Sequence, residues 1–199
     1  MKTDISQSII AYWNDIRGTN TVPTRSDLKP GPISHLLPDL FVLQEDGADV
    51  TFRLAGTRVC TILGKELRAR SFTALFPPQQ RQAMASLIHN VTEYRKPVIV
   101  DVTGYRRDHD ALHFEMVLLP VADNDQLGCR VVGSLAPEFT LSWQLLEAVS
   151  LLRADRIRPV LTDESAEHAP QQNRSGGGFL AALRKFSMLS RKENTNSMS

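Results

Sequence analysis

The chain has 199 residues, 42% of them hydrophobic and 23% charged, with 23 basic against 22 acidic side chains. A formal net charge of +1 argues against a broad nucleic-acid surface, which relies on neutralising many phosphates. No apolar run approaches the roughly 20 residues of a transmembrane helix, and Asp4 sits where a signal peptide would place its basic and apolar regions. The expectation is a cytoplasmic protein with one main core.

Residues 5–16, ISQSIIAYWNDI, place Ile5, Ile9, Trp13 and Ile16 on one helical stripe with Tyr12 beside it, and Gly18 is a natural stop. An amphipathic helix at this point needs somewhere to bury its stripe, so Ile5, Ile9, Tyr12, Trp13 and Ile16 are predicted to form a homodimer interface. The following TNTVPTRSDLKPGPI is rich in turn formers and reads as an ordered loop leading to a helical turn near ISHLL; residues 1–34 thus form an N-terminal helix and loop.

From Pro38 the pattern turns strand-like. LFVLQ, the turn EDGAD and VTFRLA predict a β-hairpin whose loop uses Gly47. After Gly56 the period changes: Val59, Cys60, Ile62 and Leu63 fall at helical spacing until Gly64. KELRARSFTALF is irregular, with room for a second short helix. Pro77 and Pro78 then suit the first turn of a helix over 79–95, with Met84, Leu87, Ile88, Val91 and Tyr94 on its buried face.

Three strands follow, PVIVDVTGY, ALHFEMVLLP and CRVVGSLAP, joined by short connections and therefore antiparallel neighbours. LSWQLLEAVSLL, residues 141–152, reads as a helix with Leu145, Leu146, Val149 and Leu152 facing inward. Residues 156–178 are expected to form a flexible linker, since TDESAEHAPQQNRSGGG holds few apolar groups. FLAALRKFSMLSRK then returns to helical periodicity, with Phe179, Leu183, Phe186 and Leu189 on one side of a short basic amphipathic helix within residues 179–199.

This order predicts an α+β fold: a five-stranded antiparallel sheet with helices on one face, an N-terminal amphipathic helix and a C-terminal helical extension, the main domain spanning 35–155. The order resembles the PAS domain. The segments PTRSD at Pro23 to Asp27, LPDLFVL at 37–43, FRLAGT at 52–57, VLLP at 117–120 and GSLAP at 133–137 are similar to the bacterial family PAS_5, over roughly residues 8–155. The resemblance implies a small space between sheet and short helices, which PAS domains use for a ligand or fill with side chains. Phe52, Leu54, Val59, Leu63, Met84, Ile88, Phe114 and Met116 are the apolar candidates to line it. Core packing and a ligand cavity share this alternation.

The polar candidates are few. Light-sensing flavin relatives carry a reactive cysteine in an N-C-R-F-L-Q motif; here that region reads RARSFTALF, so Cys60 is expected to be a packing residue. His89 lies on the long helix, where some PAS domains hold haem, but at the edge of the buried stripe. His109 and His113 straddle a hairpin, so their spacing gathers no metal, and no metal site is expected. His113 and Glu115 share a strand face that reads as the solvent side. Cys60 and Cys129 have no spacing for a thiolate zinc site.

No nucleophile with its base, phosphate loop or paired carboxylates emerges, so an enzyme is not expected. The leading expectation is a non-enzymatic regulatory PAS module that acts in trans on another signalling protein, because no output domain is attached. The alternative is a sensor that binds haem, flavin or a metabolite, its cofactor unidentified by the sequence. Residues 179–191 are expected to dock on a partner, on their own domain, or weakly on a membrane surface, with a frayed tail as the alternative and a disordered end beyond them.

Overall fold

Thr3 begins the first helix in the computed structural model, which describes residues 1–47, 49–107, 110–123, 129–139 and 147–160. Its hydroxyl accepts a hydrogen bond from the Ser6 N–H at 3.2 Å, capping α1 (Asp4–Arg17), and Asp4 adds a negative charge to the first turn. Gly18, at φ 54°, ends the helix in a backbone region costly for other residues. The loop beyond it is held by local bonds: the Thr24 N–H donates to Asp27 Oδ2 at 2.8 Å around a short 3-10 turn, Arg25–Asp27. A second 3-10 turn, Leu37–Asp39, delivers the chain to the sheet.

The hairpin forms as its alternation predicts, β1 (Leu40–Asp46) against β2 (Asp49–Ala55), with Gly47 at φ 62° in the turn. Gly56 then caps α2 (Thr57–Ile62). A Cβ there would overlap the carbonyl oxygens of Leu37 and Pro38, so the strand-to-helix corner requires glycine because two backbones meet. A 3-10 turn at Thr73–Leu75 leads into α3 (Pro78–Tyr94), which buries Met84, Leu87, Ile88 and Val91. The remaining strands are β3 (Val98–Tyr105), β4 (Leu112–Ala122), β5 (Cys129–Pro137) and β6 (Leu151–Pro159).

All six strands form one sheet in the order β2-β1-β5-β4-β3-β6, every neighbouring pair antiparallel. Three expectations change. The sheet has six strands, not five. Residues 147–152 are not helical: 147–150 are irregular and Leu151 opens β6, whose Leu152 and Ala154 point into the core. That strand also carries the domain through residues 156–159, where a linker was expected. Residues 141–146 and 161–199 lie outside the described residues, as do the rest of the expected linker and the 179–191 helix.

The third change is that helices cover both faces. α2 and α3 pack on one face over a core that includes Phe52, Phe72, Phe76, Phe114 and Met84. α1 and the 19–39 loop pack on the other, where Ile9, Ile10, Trp13, Val22 and Ile33 meet Val117, Leu119 and Val121. β4 is accordingly buried on both sides from Phe114 to Ala122, as its near-continuous apolar run permits.

β6 is fastened by a side chain. The Gln80 amide of α3 donates to the Ala154 carbonyl at 3.1 Å and accepts from the Ala154 N–H at 2.9 Å. This contact falls beside a bulge, where Asp101 pairs with Arg156 and Val102 with Ala154, leaving Asp155 as the extra residue. Asp155 accepts from Thr103 Oγ1 at 2.6 Å and from Arg153 Nε at 2.7 Å.

Candidate functional site

Seven of the eight residues expected to line a pocket come together between the sheet and α2–α3: Phe52, Val59, Leu63, Met84, Ile88, Phe114 and Met116 are all buried in one cluster. They touch side chains. The Phe52 and Phe72 rings meet edge to face at 5.7 Å, and Phe72 and Phe76 at 5.3 Å. The cleft between Leu28 and Val132, that between Met1 and Val160 and that between Glu45 and Asn90 are lined by none of the seven.

Leu54 departs from the group. Leu43 pairs with Phe52, but the adjacent Val42 pairs with Leu54, so Arg53 is an inserted residue on β2. One extra residue reverses the side to which the next side chain points. Leu54 therefore leaves the core and stands 57% exposed on the α1 side of the sheet.

There it forms the lip of an apolar groove of about 350 Å³. The floor is Leu40, Val42 and Val132 from β1 and β5; the walls are Leu28, Pro30, Ile33 and Leu37 from the loop after α1, with Ala55 and Gly56 at one end. Lys29 is the only charged residue among those lining it. Leu37, 41% exposed, faces outward with Leu54. The loop is fixed in place: Tyr12 Oη and the Lys29 backbone are hydrogen-bonded at 2.8 and 2.9 Å, and Pro23 O accepts from the Ala122 N–H at 3.0 Å. Beneath the groove mouth, Arg58 of α2 donates to the buried carboxylate of Asp39, tying α2 to the turn that carries Leu37. Burial pushes the Asp39 carboxyl above its ordinary value, with the Arg58 hydrogen bond and charge opposing.

The predicted dimer stripe is occupied. Ile9 and Trp13 are buried by the chain's own sheet, the Trp13 indole N–H donates to the Pro120 carbonyl at 2.8 Å, and Ile5 and Tyr12 pack at the edge of the same cluster. Ile16 is half-buried. With α1 docked, Ile9 and Trp13 are taken up by the chain's own sheet, while Ile5, Tyr12 and Ile16 stay partly exposed. Sequence reasoning treated the sheet as bare on that side and so left the helix without an internal partner.

The same error placed Glu115 in solvent. It is fully buried, and its two carboxylate oxygens accept from the Lys2 backbone N–H at 2.9 Å each, while Arg158 Nη2 of β6 donates at 3.2 Å. Arg158 also pairs with Asp101 at 2.8 Å, and Lys2 Nζ reaches Glu138 at 2.7 Å. The Glu138 hydrogen bond raises the Lys2 ammonium above its ordinary value. The cluster pins the start of α1 and the end of β6 to β3 and β4; each charge in it has an opposite neighbour, as buried carboxylates require.

The remaining polar candidates stand apart from one another. Cys60 packs against the edge of the core, and burial pushes its thiol above the ordinary value, away from thiolate chemistry. The His89 side chain is 64% exposed and 3.1 Å from Glu45, pointing away from the core. His113 is exposed, 3.3 Å from Thr103 Oγ1, and His109 lies outside the described residues. Among the described residues no three His, Cys, Asp or Glu side chains converge on a metal position, and no helix is long and apolar enough to cross a membrane.

An antiparallel sheet in this strand order, with short helices and one longer helix packed over the hairpin side, is the architecture of a PAS domain. The chain belongs to the PAS_5 family of PAS domains, whose model matches residues 1–136. β6 lies beyond that match. None of the curated proteins matches the chain. Similar solved structures include a light-oxygen-voltage domain studied with a flavin analogue, at 14% identity and TM-score 0.43, covering 53% of this chain and 81% of that one. An RNA-binding light-oxygen-voltage receptor gives 20% identity and TM-score 0.43, covering 56% of this chain and 33% of that chain. The dark structure of the blue-light photoreceptor Aureochrome1 LOV gives 16% identity and TM-score 0.42, covering 57% and 85%. Values this low carry no argument about ligands.

Proposed function

We propose that the protein is a non-enzymatic PAS regulatory module whose output is contact with another protein through the groove between β1, β2 and the loop after α1. The supporting observation is the contrast between that groove and the interior. The groove is apolar, open, rigidly framed and rimmed by Leu54 and Leu37, the geometry that takes the apolar face of an amphipathic helix. The interior, where a PAS ligand would sit, is occupied by Phe52, Phe72, Phe76, Phe114 and Met84.

Flavin and haem do not fit the residues present. A flavin ring needs hydrogen-bonding partners at its edge. The buried amide of Gln80 is already paired to Ala154, and the aromatic side chains would have to leave. The histidine of α3, His89, points outward and so supplies no imidazole ligand to a haem, which would also have to displace the aromatic side chains. Homodimerisation, if it is to coexist with a docked α1, uses a surface other than the Ile9 and Trp13 stripe.

An absorption spectrum and native mass spectrum of the purified full chain test this reading. A colourless protein at the mass of the bare chain is expected. A stoichiometric chromophore or retained small molecule would replace it with the sensor alternative.

A further inference from the structure

We infer that the partner segment this groove selects is an acidic amphipathic helix: its apolar face lies between Leu54 and Leu37, and its carboxylates meet Lys29 on one flank and Arg53 on the other. The inference rests on the groove being a docking surface, as proposed above, and adds the chemistry of what docks there.

Three observations carry it. The charge at the groove has one sign: Lys29 stands exposed on the loop wall, and no acidic residue is among those lining the groove. Nearby acids are engaged. Asp27, in the same loop, accepts from the Thr24 N–H and hydroxyl at 2.8 and 2.7 Å, and Asp39, in the turn that carries Leu37, is buried and paired with Arg58. Next, the inserted residue of β2 adds a second cation. Arg53 is exposed, and its guanidinium reaches the Gln44 amide oxygen at 3.4 Å; Gln44 follows the core residue Leu43, so alternation places it on the α1 side with the floor residue Val42. Arg53 therefore stands beside Leu54. The Lys29 backbone is tied to α1, which packs over β4 and β5, while β2 is the outer strand of the sheet, so the two cations flank the apolar floor. Finally, Leu54 and Leu37 supply exposed apolar anchors between them. A helix whose apolar stripe is bordered by glutamate or aspartate finds an opposite charge on each flank, and a basic one meets like charge on both.

The test uses two fluorescently labelled synthetic peptides of about 14 residues, roughly four helical turns, that share leucines at i, i+3, i+4 and i+7 and differ only in bordering them with glutamates or with lysines. Anisotropy against the full-length protein should show the glutamate peptide binding at least about tenfold more tightly at about 50 mM salt, with the ratio shrinking at about 300 mM. Lys29→Glu/Arg53→Glu should reverse the preference, and Leu54→Asp should abolish binding of both peptides; all three residues are exposed, so the variants keep the fold. Equal binding of the two peptides, or tighter binding of the lysine peptide, would keep the groove as a docking surface and overturn the acidic partner. Binding of neither, or binding that survives Leu54→Asp, would overturn the inference as well. If phosphatidylglycerol vesicles bind and the peptides do not, the surface belongs to a membrane and the inference falls. The functional reading fails separately, on a bound chromophore or a retained small molecule.

Discussion

The two faces of the sheet are both built from apolar side chains, and they end differently. On the α2–α3 face the helices descend directly onto the strands and aromatic rings interlock, so the volume is taken up by Phe52, Phe72 and Phe76. On the α1 face one helix covers β4 and β5, while a loop held by Tyr12, Thr24 and Pro23 stands beside β1 and leaves a trough. A helix can close over a sheet because its side chains project on all sides; an extended loop presents fewer of them. In this domain the open apolar trough therefore lies on the α1 face of the sheet, opposite α2 and α3.

The largest effects should come from equal injuries to both faces. Phe72→Ala and Trp13→Ala should each lose about 3–5 kcal/mol in urea unfolding, since both remove a buried aromatic side chain. A Trp13→Ala protein with an unchanged midpoint would show that α1 is not part of the cooperative unit, and the two-sided core would be wrong. Next, Gln80→Ala leaves the Ala154 N–H and carbonyl without their side-chain partner. A loss of about 1–3 kcal/mol is expected, with hydrogen exchange rising in β6 before β3. Uniform exchange across both strands would mean that Gln80 does not fasten β6 selectively.

Leu54→Asp sharpens the contrast from the other direction. An exposed residue at an edge strand should change stability by no more than about 0.5 kcal/mol. A loss comparable to that of Phe72→Ala would place Leu54 in the core after all. The smallest effect concerns the loop that frames the trough. The Thr24 side-chain hydrogen bond, followed by its backbone N–H, holds the Asp27 carboxyl below its ordinary value. A lowered folded value contributes stability above the unfolded pKa and loses it as pH falls through the lowered one. Thr24→Ala should move the Asp27 carboxyl back upward in an acid-range NMR titration; an unmoved midpoint would remove Thr24 as the cause.

Much of the fold was legible because its periodicities are strong. The hairpin, the Pro78–Tyr94 helix and the run from β3 to β5 follow from alternation, from three-and-four spacing, and from the prolines that bound them. Two things were hidden. β6 alternates Leu152 and Ala154 against Arg153 and Asp155, but only until the bulge at Asp155 breaks the pattern. The preceding LSWQLLEAV also has helical spacing, which pulled the reading the wrong way. The burial of both sheet faces did leave a signal, the unbroken Met116-Val117-Leu118-Leu119, which a half-exposed strand would not carry. For the candidate site, the core members were readable from period alone. Leu54 was misplaced by the insertion at Arg53, which no local pattern announces.

The Gln80 clamp has a practical consequence for anyone who excises the domain. Cutting the chain at residue 136, where the family match stops, would strip the outer edge of β3 along its whole length and expose eight residues of unpaired backbone. Such an edge recruits whatever strand is nearby, most readily that of an identical molecule, so the shortened protein should form edge-to-edge aggregates whose apparent self-association is an artefact of the cut. A boundary drawn after Val160 keeps that edge sealed.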